Sequence, residues 1–433
     1  MDDYKLDPLP IATLADTSSI IKVIGVGGGG GNAVNHMYRQ GITDVTFVVC
    51  NTDNQDLRKS PVPYKIQLGV STTEGLGAGA FPEVGRQAAE ESIDAITKML
   101  SDNTKMVFIT AGMGGGTGTG ASPVIAKAAK EMGILTIGIV TIPFLFEGAP
   151  KIRTALEGVA ALNAHVDAIL VINNEKLRAL YPDLTFAKAF RYADDVLANA
   201  AKSIAEIITI TGYISLDFAD VKRILKNGNV AVMNTGIAEG EHRITNAIKN
   251  ALKSPLLDND ISSAKKILLN FYCSESDEYQ INMEETEQIH RFIKQMSENI
   301  DVIWGITFDN SLGNSVKVTL IATGFDIRAI PGMDEKLAQQ SQLQKDEYDK
   351  STQSQPDIAE QPTLAPTPVP EAPTVVADRK IDIDKAIQSL YNNSAQQTET
   401  KKVDTDMPLI SLDELEDNSK YIEDTPAWQR RKR

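Results

Sequence analysis

Apolar residues fall along this chain in two rhythms. Up to about residue 180, continuous runs of Val, Ile and Leu alternate with longer stretches at helical spacing. The runs at 20–26, 45–50, 105–110, 134–142 and 168–172 show no polar alternation. Such strands need cover on both faces, which a parallel sheet between two helix layers supplies. Between them the pattern predicts helices over 32–40, stopped by Gly41, and over 82–100, opened by Pro82. A third is expected over 123–132, with Ser122 as N-cap and Pro123 at the first helical position. The stretch 185–210, rich in Ala, Ile and Leu, predicts one long helix. Beyond it strands are expected at 230–234, 266–272, 302–308 and 316–323, with helices near 243–252 and 284–298. That is a smaller α+β unit.

After Pro331 the apolar residues thin out, and seven prolines fall between 331 and 373. No core can form there. The expected organisation is a disordered segment, 1–18; an α/β, Rossmann-like nucleotide-binding domain, 19–184; a central helix, 185–212; an α+β domain, 213–330; a disordered linker, 331–423; and a distinct terminal peptide, 424–433.

Composition narrows the chemistry. Two cysteines in 433 residues, Cys50 and Cys273, exclude a disulfide scaffold and a Cys-rich zinc site. The four histidines (His36, His165, His242, His290) form no metal-binding pattern. A net charge of −15 argues against nucleic-acid binding. The acidic start, 1–10, carries no signal-peptide pattern, and the longest apolar run, 133–146, is short for a bilayer and contains Pro143. A soluble, cytoplasmic protein with no direct membrane insertion is expected.

The glycines carry the chemistry. The first strand runs into Gly27-Gly28-Gly29-Gly30-Gly31-Asn32 and then a helix. Without Cβ atoms a backbone can approach an anion closely, and the helix N-terminus offers free N–H groups. This segment fits G-x-G-x-x-G at Gly25, Gly27 and Gly30, and Asp53 follows the next strand. Alone it is also the signature of a NAD-dependent oxidoreductase. A second loop, 111–120, again joins a strand to a helix, and its Thr117 and Thr119 add hydroxyls. No Lys follows, so it is not a Walker A loop. A third glycine segment, 75–80, precedes Pro82. Three such loops suit a triphosphate better than a dinucleotide.

The segment Gly112-Met-Gly-Gly-Gly-Thr-Gly-Thr-Gly120 resembles the tubulin signature loop. Together with 27–32, Phe146-Glu-Gly148 and Leu216-Asp-Phe-Ala-Asp-Val221, it resembles the FtsZ family of bacterial, tubulin-like cell-division GTPases. The resemblance covers about 18–330 and the extreme C-terminus. It implies a tubulin-like fold whose ligands are GTP and GDP, with Mg²⁺ held through the phosphates rather than by protein ligands. Phosphate and ribose contacts would come from Gly28, Gly29, Gly30, Gly31, Asn32, Asn51, Asp53, Gly115, Gly116, Thr117, Gly118 and Thr119. Ala78, Gly79 and Ala80 would approach the γ-phosphate, and Glu147 and Lys151 the ribose. Phe190 would stack on the base, and Asp194 would accept from the guanine N1–H and amino group. Asp217 and Asp220 would be catalytic, orienting the attacking water on the nucleotide of the next subunit. On the residues alone, Asp217 is an N-cap and Asp220 a partner of the helix dipole. The chain departs from the family pattern at Lys151, usually Arg, and at Ser215 and Phe81, both usually Asn. Ser215 leaves room for a third reading, a nucleotide-binding homologue that does not hydrolyse.

A site shared between successive subunits implies head-to-tail polymers, a homopolymeric protofilament that scaffolds the cytokinetic ring at mid-cell. Over 334–424, 20 acidic against 9 basic residues keep the linker expanded. The end of the chain resembles the family's docking peptide for membrane-anchoring adaptors such as the actin-like FtsA, and for other division proteins. Pro426, Trp428, Arg430 and Arg431 would make those contacts.

Overall fold

The computed structural model describes residues 19–180, 183, 185–210, 212–252, 261–296, 300–330, 332–333 and 345–346. The expected N-terminal segment, nearly all of the linker, and Pro426, Trp428, Arg430 and Arg431 lie outside the described residues.

The apolar runs form strands buried along nearly all their length: β1 (Ile21–Val26), β2 (Thr46–Asn51), β4 (Met106–Gly112), β5 (Leu135–Ile142) and β6 (Ala168–Asn173), with a short, half-buried β3 (Tyr64–Gln67) between β2 and β4 in the chain. Four more follow: β7 (Asn229–Ala238), β8 (Lys266–Cys273), β9 (Asp301–Phe308) and β10 (Val316–Phe325). All ten join one sheet in the order β3-β2-β1-β4-β5-β6-β7-β10-β8-β9. From β3 to β7 every neighbouring pair is parallel, while β10 runs antiparallel to both β7 and β8. The first six strands have the doubly wound order, which reverses between β1 and β4. A crevice opens beyond the strand ends at such a reversal.

The connecting helices are α1 (Gly27–Arg39), α2 (Asn54–Lys59), α3 (Val70–Thr73), α4 (Pro82–Glu91), α5 (Ile93–Leu100), α6 (Thr117–Glu131), α7 (Ala149–Asn163) and α8 (Asn174–Leu180). After them come α9 (Phe186–Thr209), α10 (Phe218–Leu225), α11 (Arg243–Leu252) and α12 (Met283–Gln295). On one sheet face Ala88, Ile96, Ile125 and Val159 share a core with Ile248 and Ile289. On the other, Val34 and Met37 of α1, Leu197 and Ile204 of α9, and Val221 and Ile224 of α10 form a second core. The long central helix therefore covers one face of the sheet.

Three helix boundaries differ from the sequence expectation. α1 begins at Gly27, inside the glycine run, because it lies almost on β4. A Cβ at Gly30 would stand 2.1 Å from the Thr110 carbonyl oxygen. The stretch 82–100 breaks at Ser92, whose hydroxyl accepts from Gly69 N at 2.9 Å. Pro123 is not at the start of its helix: α6 begins at Thr117 and carries Pro123 inside it. Its first turn is held by contact with α4, where a Cβ at Gly120 would meet the Pro82 carbonyl oxygen at 1.8 Å and one at Gly85 the Gly116 oxygen at 2.4 Å. The apolar pattern gave no warning of β3, α7 or α8.

Candidate nucleotide site

Since β1 and β4 are neighbours, the loops that follow them meet. α1 and α6 both begin there, and neither has a side-chain cap. Their first N–H groups have no partner within the helix, and each end carries a positive partial charge. The two loops approach each other backbone to backbone. A Cβ on Gly27 would lie 2.8 Å from Gly118 N, and one on Gly29 would lie 3.2 Å from Gly112 Cα. Gly27 and Gly114 have φ of 70° and 98°, conformations that favour glycine.

Between these ends and α9 lies a cleft of about 430 Å³. Of the residues expected at a nucleotide, it brings together Gly28, Gly29, Asn32, Gly115, Gly116, Thr117, Gly118, Glu147, Lys151, Phe190 and Asp194. Phe190, Ala193, Asp194 and Leu197 recur at helical spacing, so α9 presents one face to the cleft. Other expected residues stand behind the lining. Gly30 is packed on β4, and Gly31 faces open space. Thr119 accepts from Gly114 N at 2.9 Å, shaping the loop from within. Thr117, itself in the lining, shares a buried hydroxyl contact of 2.7 Å with Thr52. Asp53 caps α2, accepting from Gln55 N and Asp56 N, and Asn51 Oδ1 accepts from Asp53 N. Ala78, in the third glycine segment, abuts the second loop: a Cβ at Gly116 would lie 2.8 Å from the Ala78 Cβ.

The far end of the cleft is aromatic and charged. Phe144 and Phe146 stack at 5.0 Å, and Phe190 meets Phe144 edge-on at 5.1 Å. Glu147 accepts from Phe144 N at 2.9 Å and from Lys151 Nζ at 2.6 Å. Burial pushes the Asp194 carboxyl up to about 6; His36 opposes that shift and Asp195 adds to it. Sequence reasoning missed Thr141, Pro143 and Asn174 in the lining. Asn174 is buried, and its Oδ1 has no partner among the described residues. Glu175 beside it accepts from Leu145 N at 3.0 Å and so holds the 144–147 turn. The polar run 173–175 directly after an apolar strand was the signal available in the sequence.

Asp217 and Asp220 are elsewhere. They form a reciprocal capping box at the start of α10: Asp217 Oδ1 accepts from Asp220 N at 2.9 Å, and Asp220 Oδ2 accepts from Asp217 N at 3.1 Å. α9 separates them from the cleft. Its 24 residues span about 36 Å. Asp194 lines the cleft, whereas Thr209 lies with Ser19 and Thr46 where β1 and β2 begin.

Fold and cleft together define a tubulin-like nucleotide-binding protein. The family described as Tubulin/FtsZ family, GTPase domain, matches residues 20–182, and FtsZ family, C-terminal domain, matches 229–326. The chain belongs to the FtsZ family of cell-division GTPases. It is 53% identical over 310 residues to the cell division protein FtsZ of Porphyromonas gingivalis, covering 71% of this chain and 67% of that one. To the FtsZ of Wigglesworthia glossinidia brevipalpis it is 43% identical over 344 residues, 79% of this chain and 87% of the relative. Among solved structures it resembles M. jannaschii FtsZ, with a TM-score of 0.65 at 41% identity, covering 71% of this chain and 89% of that one. CetZ2 of Haloferax volcanii shares the fold at 20% identity, with a TM-score of 0.61 over 76% and 99% of the two chains. The oxidoreductase reading falls with the family, and its ribose acid, Asp53, is a helix cap. The protein is a GTPase that binds guanine nucleotide. No described helix is long and apolar enough to cross a membrane.

Proposed function

We propose that the cleft holds GTP with its phosphates on the N-termini of α1 and α6, and that hydrolysis is completed by Asp217 and Asp220 of the next subunit. The carrying observation is the placement of the two halves at opposite ends of α9. One molecule cannot fold the acids back onto its own cleft. A head-to-tail neighbour can bring them there, and repetition of that contact gives an open filament. The M. jannaschii FtsZ structure, described as a dimer, supports self-association of this kind.

Within the site, the backbone N–H groups of Gly28, Gly29, Gly116, Thr117 and Gly118 bind phosphate oxygens. Gly30, Gly31 and Thr119 shape those loops, Asn51 and Asp53 hold the turn behind them, and Gly115 keeps the approach open. Ala78, Gly79 and Ala80 close over the γ-phosphate. Glu147, paired with Lys151, takes the ribose hydroxyls, and Phe190 packs on the base. Asp194 selects guanine, since an ionised carboxylate accepts two hydrogen bonds from N1–H and the amino group, and adenine lacks that donor pair. Asp217 and Asp220 keep one carboxylate oxygen each outside the capping box to hold the attacking water in line.

The residues fit a metal bound through the substrate. Backbone amides dominate the phosphate end, and no described group of three or more His, Cys, Asp or Glu could hold an ion. Mg²⁺ on the phosphates would neutralise their charge. Residues 19–184 serve as the GTP-binding domain, 185–212 as the spacer and 213–330 as the domain that presents the acids. The terminal peptide, through Pro426, Trp428, Arg430 and Arg431, docks a membrane-anchoring adaptor of the FtsA kind at mid-cell. The test is GTPase activity against protein concentration. Specific activity rises with concentration above a threshold if the site is shared. A constant specific activity down to the monomer overturns the reading.

A further inference from the structure

The segment that carries Asp217 is fastened to the outer edge of β9, the last strand of the sheet. Ile214 N donates to the Ile306 oxygen at 3.2 Å, and Ile306 N donates back to the Ile214 oxygen at 3.0 Å. This isolated antiparallel bridge covers part of a strand edge that would otherwise lack partners. Two glycines permit the approach. A Cβ on Gly212 would stand 2.3 Å from the Ile306 oxygen, and one on Gly305 would stand 2.7 Å from both the Ile214 oxygen and Leu216 Cγ. Neither is among the positive-φ glycines, so space rather than backbone conformation demands glycine here.

Further ties act on the same few residues. Ser215 Oγ donates to the Gly212 oxygen at 2.8 Å, so this hydroxyl closes the loop. Leu216 is buried over Gly305, and Asp217 follows it directly. At the other end of α10, Arg223 forms two 3.0 Å hydrogen bonds to Asp301, the first residue of β9. One strand thus fastens both the approach to the acids and the helix they begin.

We propose that Gly212 and Gly305 are positioning residues for hydrolysis: their close approach sets where Asp217 and Asp220 stand against the nucleotide of the adjoining copy. The inference rests on the shared-site reading above. An added methyl at either glycine pushes the segment off β9, which displaces the acids and leaves the cleft of the same molecule untouched.

The test compares Gly305→Ala and Gly212→Ala with the unsubstituted full-length protein. Phosphate release at saturating GTP is expected to fall between about tenfold and about a hundredfold, the scale of a misplacement near 1 Å. Nucleotide affinity, read by titration on the same preparations, stays unchanged. At a GTP concentration that fills the unsubstituted cleft but leaves the weakened Asp194→Asn cleft largely empty, mixing either variant with Asp194→Asn gives more phosphate release than the two proteins give apart, because the intact acids of one copy then face the intact cleft of the other. Loss of stability alone does not produce that rescue. Should Gly305→Ala fail to fold, Gly212→Ala, whose methyl sits on the loop, decides the matter. A folded variant with undiminished turnover, or a mixture with no rescue, overturns the inference. Asp220→Ala separates this from failure of the underlying reading. If it hydrolyses GTP normally, the shared site is wrong; if it is inactive while both glycine variants are active, only the positioning role is wrong.

Discussion

The two ends of α9 present their chemistry in different materials. At the cleft, the groups proposed to meet phosphate are main-chain N–H groups on two helix starts, fixed by close packing at Gly27, Gly29 and Gly118. At the other end, Asp217 and Asp220 are side chains on a short, accessible helix, where they cap each other. A rigid backbone cradle suits binding a ligand whose charge is always present. Two carboxylates on a surface suit a group that must meet its target only when another molecule arrives. On the proposed reading a capping interaction and a catalytic one share the same two side chains, because a capped carboxylate still has lone pairs free.

The sharpest way to break this comparison is to separate capping from charge. Asn caps a helix about as well as Asp. Asp217→Asn should therefore keep thermal stability and nucleotide affinity while phosphate release drops by about a hundredfold or more, the usual scale for a lost water-activating group. Full activity in that variant would leave Asp217 as a cap and nothing else. The cleft end is next. Gly118→Ala places a Cβ 2.7 Å from the Gly112 oxygen. Titration with GDP should show affinity down by about tenfold, the effect of roughly one lost hydrogen bond.

Asp194 gives an effect on base selection with a pH signature. Asp194→Asn should reduce the preference for GTP over ATP by about ten- to a hundredfold, since a hydrogen bond to a charged group contributes about 1.5–3 kcal/mol. In the unsubstituted protein that preference should shrink as pH falls through about 6, where the buried carboxyl takes up a proton and stops being a two-fold acceptor. ATP carries the same phosphates, so their own titration cancels in the ratio. Stability of the empty protein runs the other way. A raised carboxyl pKa means the folded state holds the proton more tightly, so this contribution is full below the ordinary 3.8 and is lost as pH rises through about 6. A flat preference from pH 5 to 8 would remove Asp194 from base recognition. The smallest change is at Lys151, whose pairing with Glu147 is half exposed. Lys151→Ala should weaken nucleotide binding by no more than about fivefold, given about 1 kcal/mol or less for such pairs. A larger loss would mean that the ammonium itself touches the ligand.

Much of this was readable in advance for a physical reason. Strands buried on both faces must be continuously apolar, so β1, β4, β5 and β6 stood out as runs of Val, Ile and Leu. Backbone that must approach other backbone must be glycine, so both glycine loops at the cleft stood out as well. Asn174 and Thr141 did not, since a lone Asn or Thr after a strand looks like any turn residue until the cleft is assembled. Pro123 misled because a proline before a helical pattern usually marks its first turn, yet packing against α4 extends α6 back to Thr117.

By itself, the order of residues determined which segments become strands, which loops can cradle an anion, and which family the chain enters. These are local properties, set by side-chain size, hydrophobicity and the missing Cβ. Only the tertiary structure decided that β1 and β4 lie side by side so that two helix ends meet, that Asp194 faces the cleft with a raised pKa, and that Gly212 and Gly305 pin the acid-bearing segment to β9. Those facts depend on contacts between residues far apart in the chain, and no local pattern encodes the distance between them.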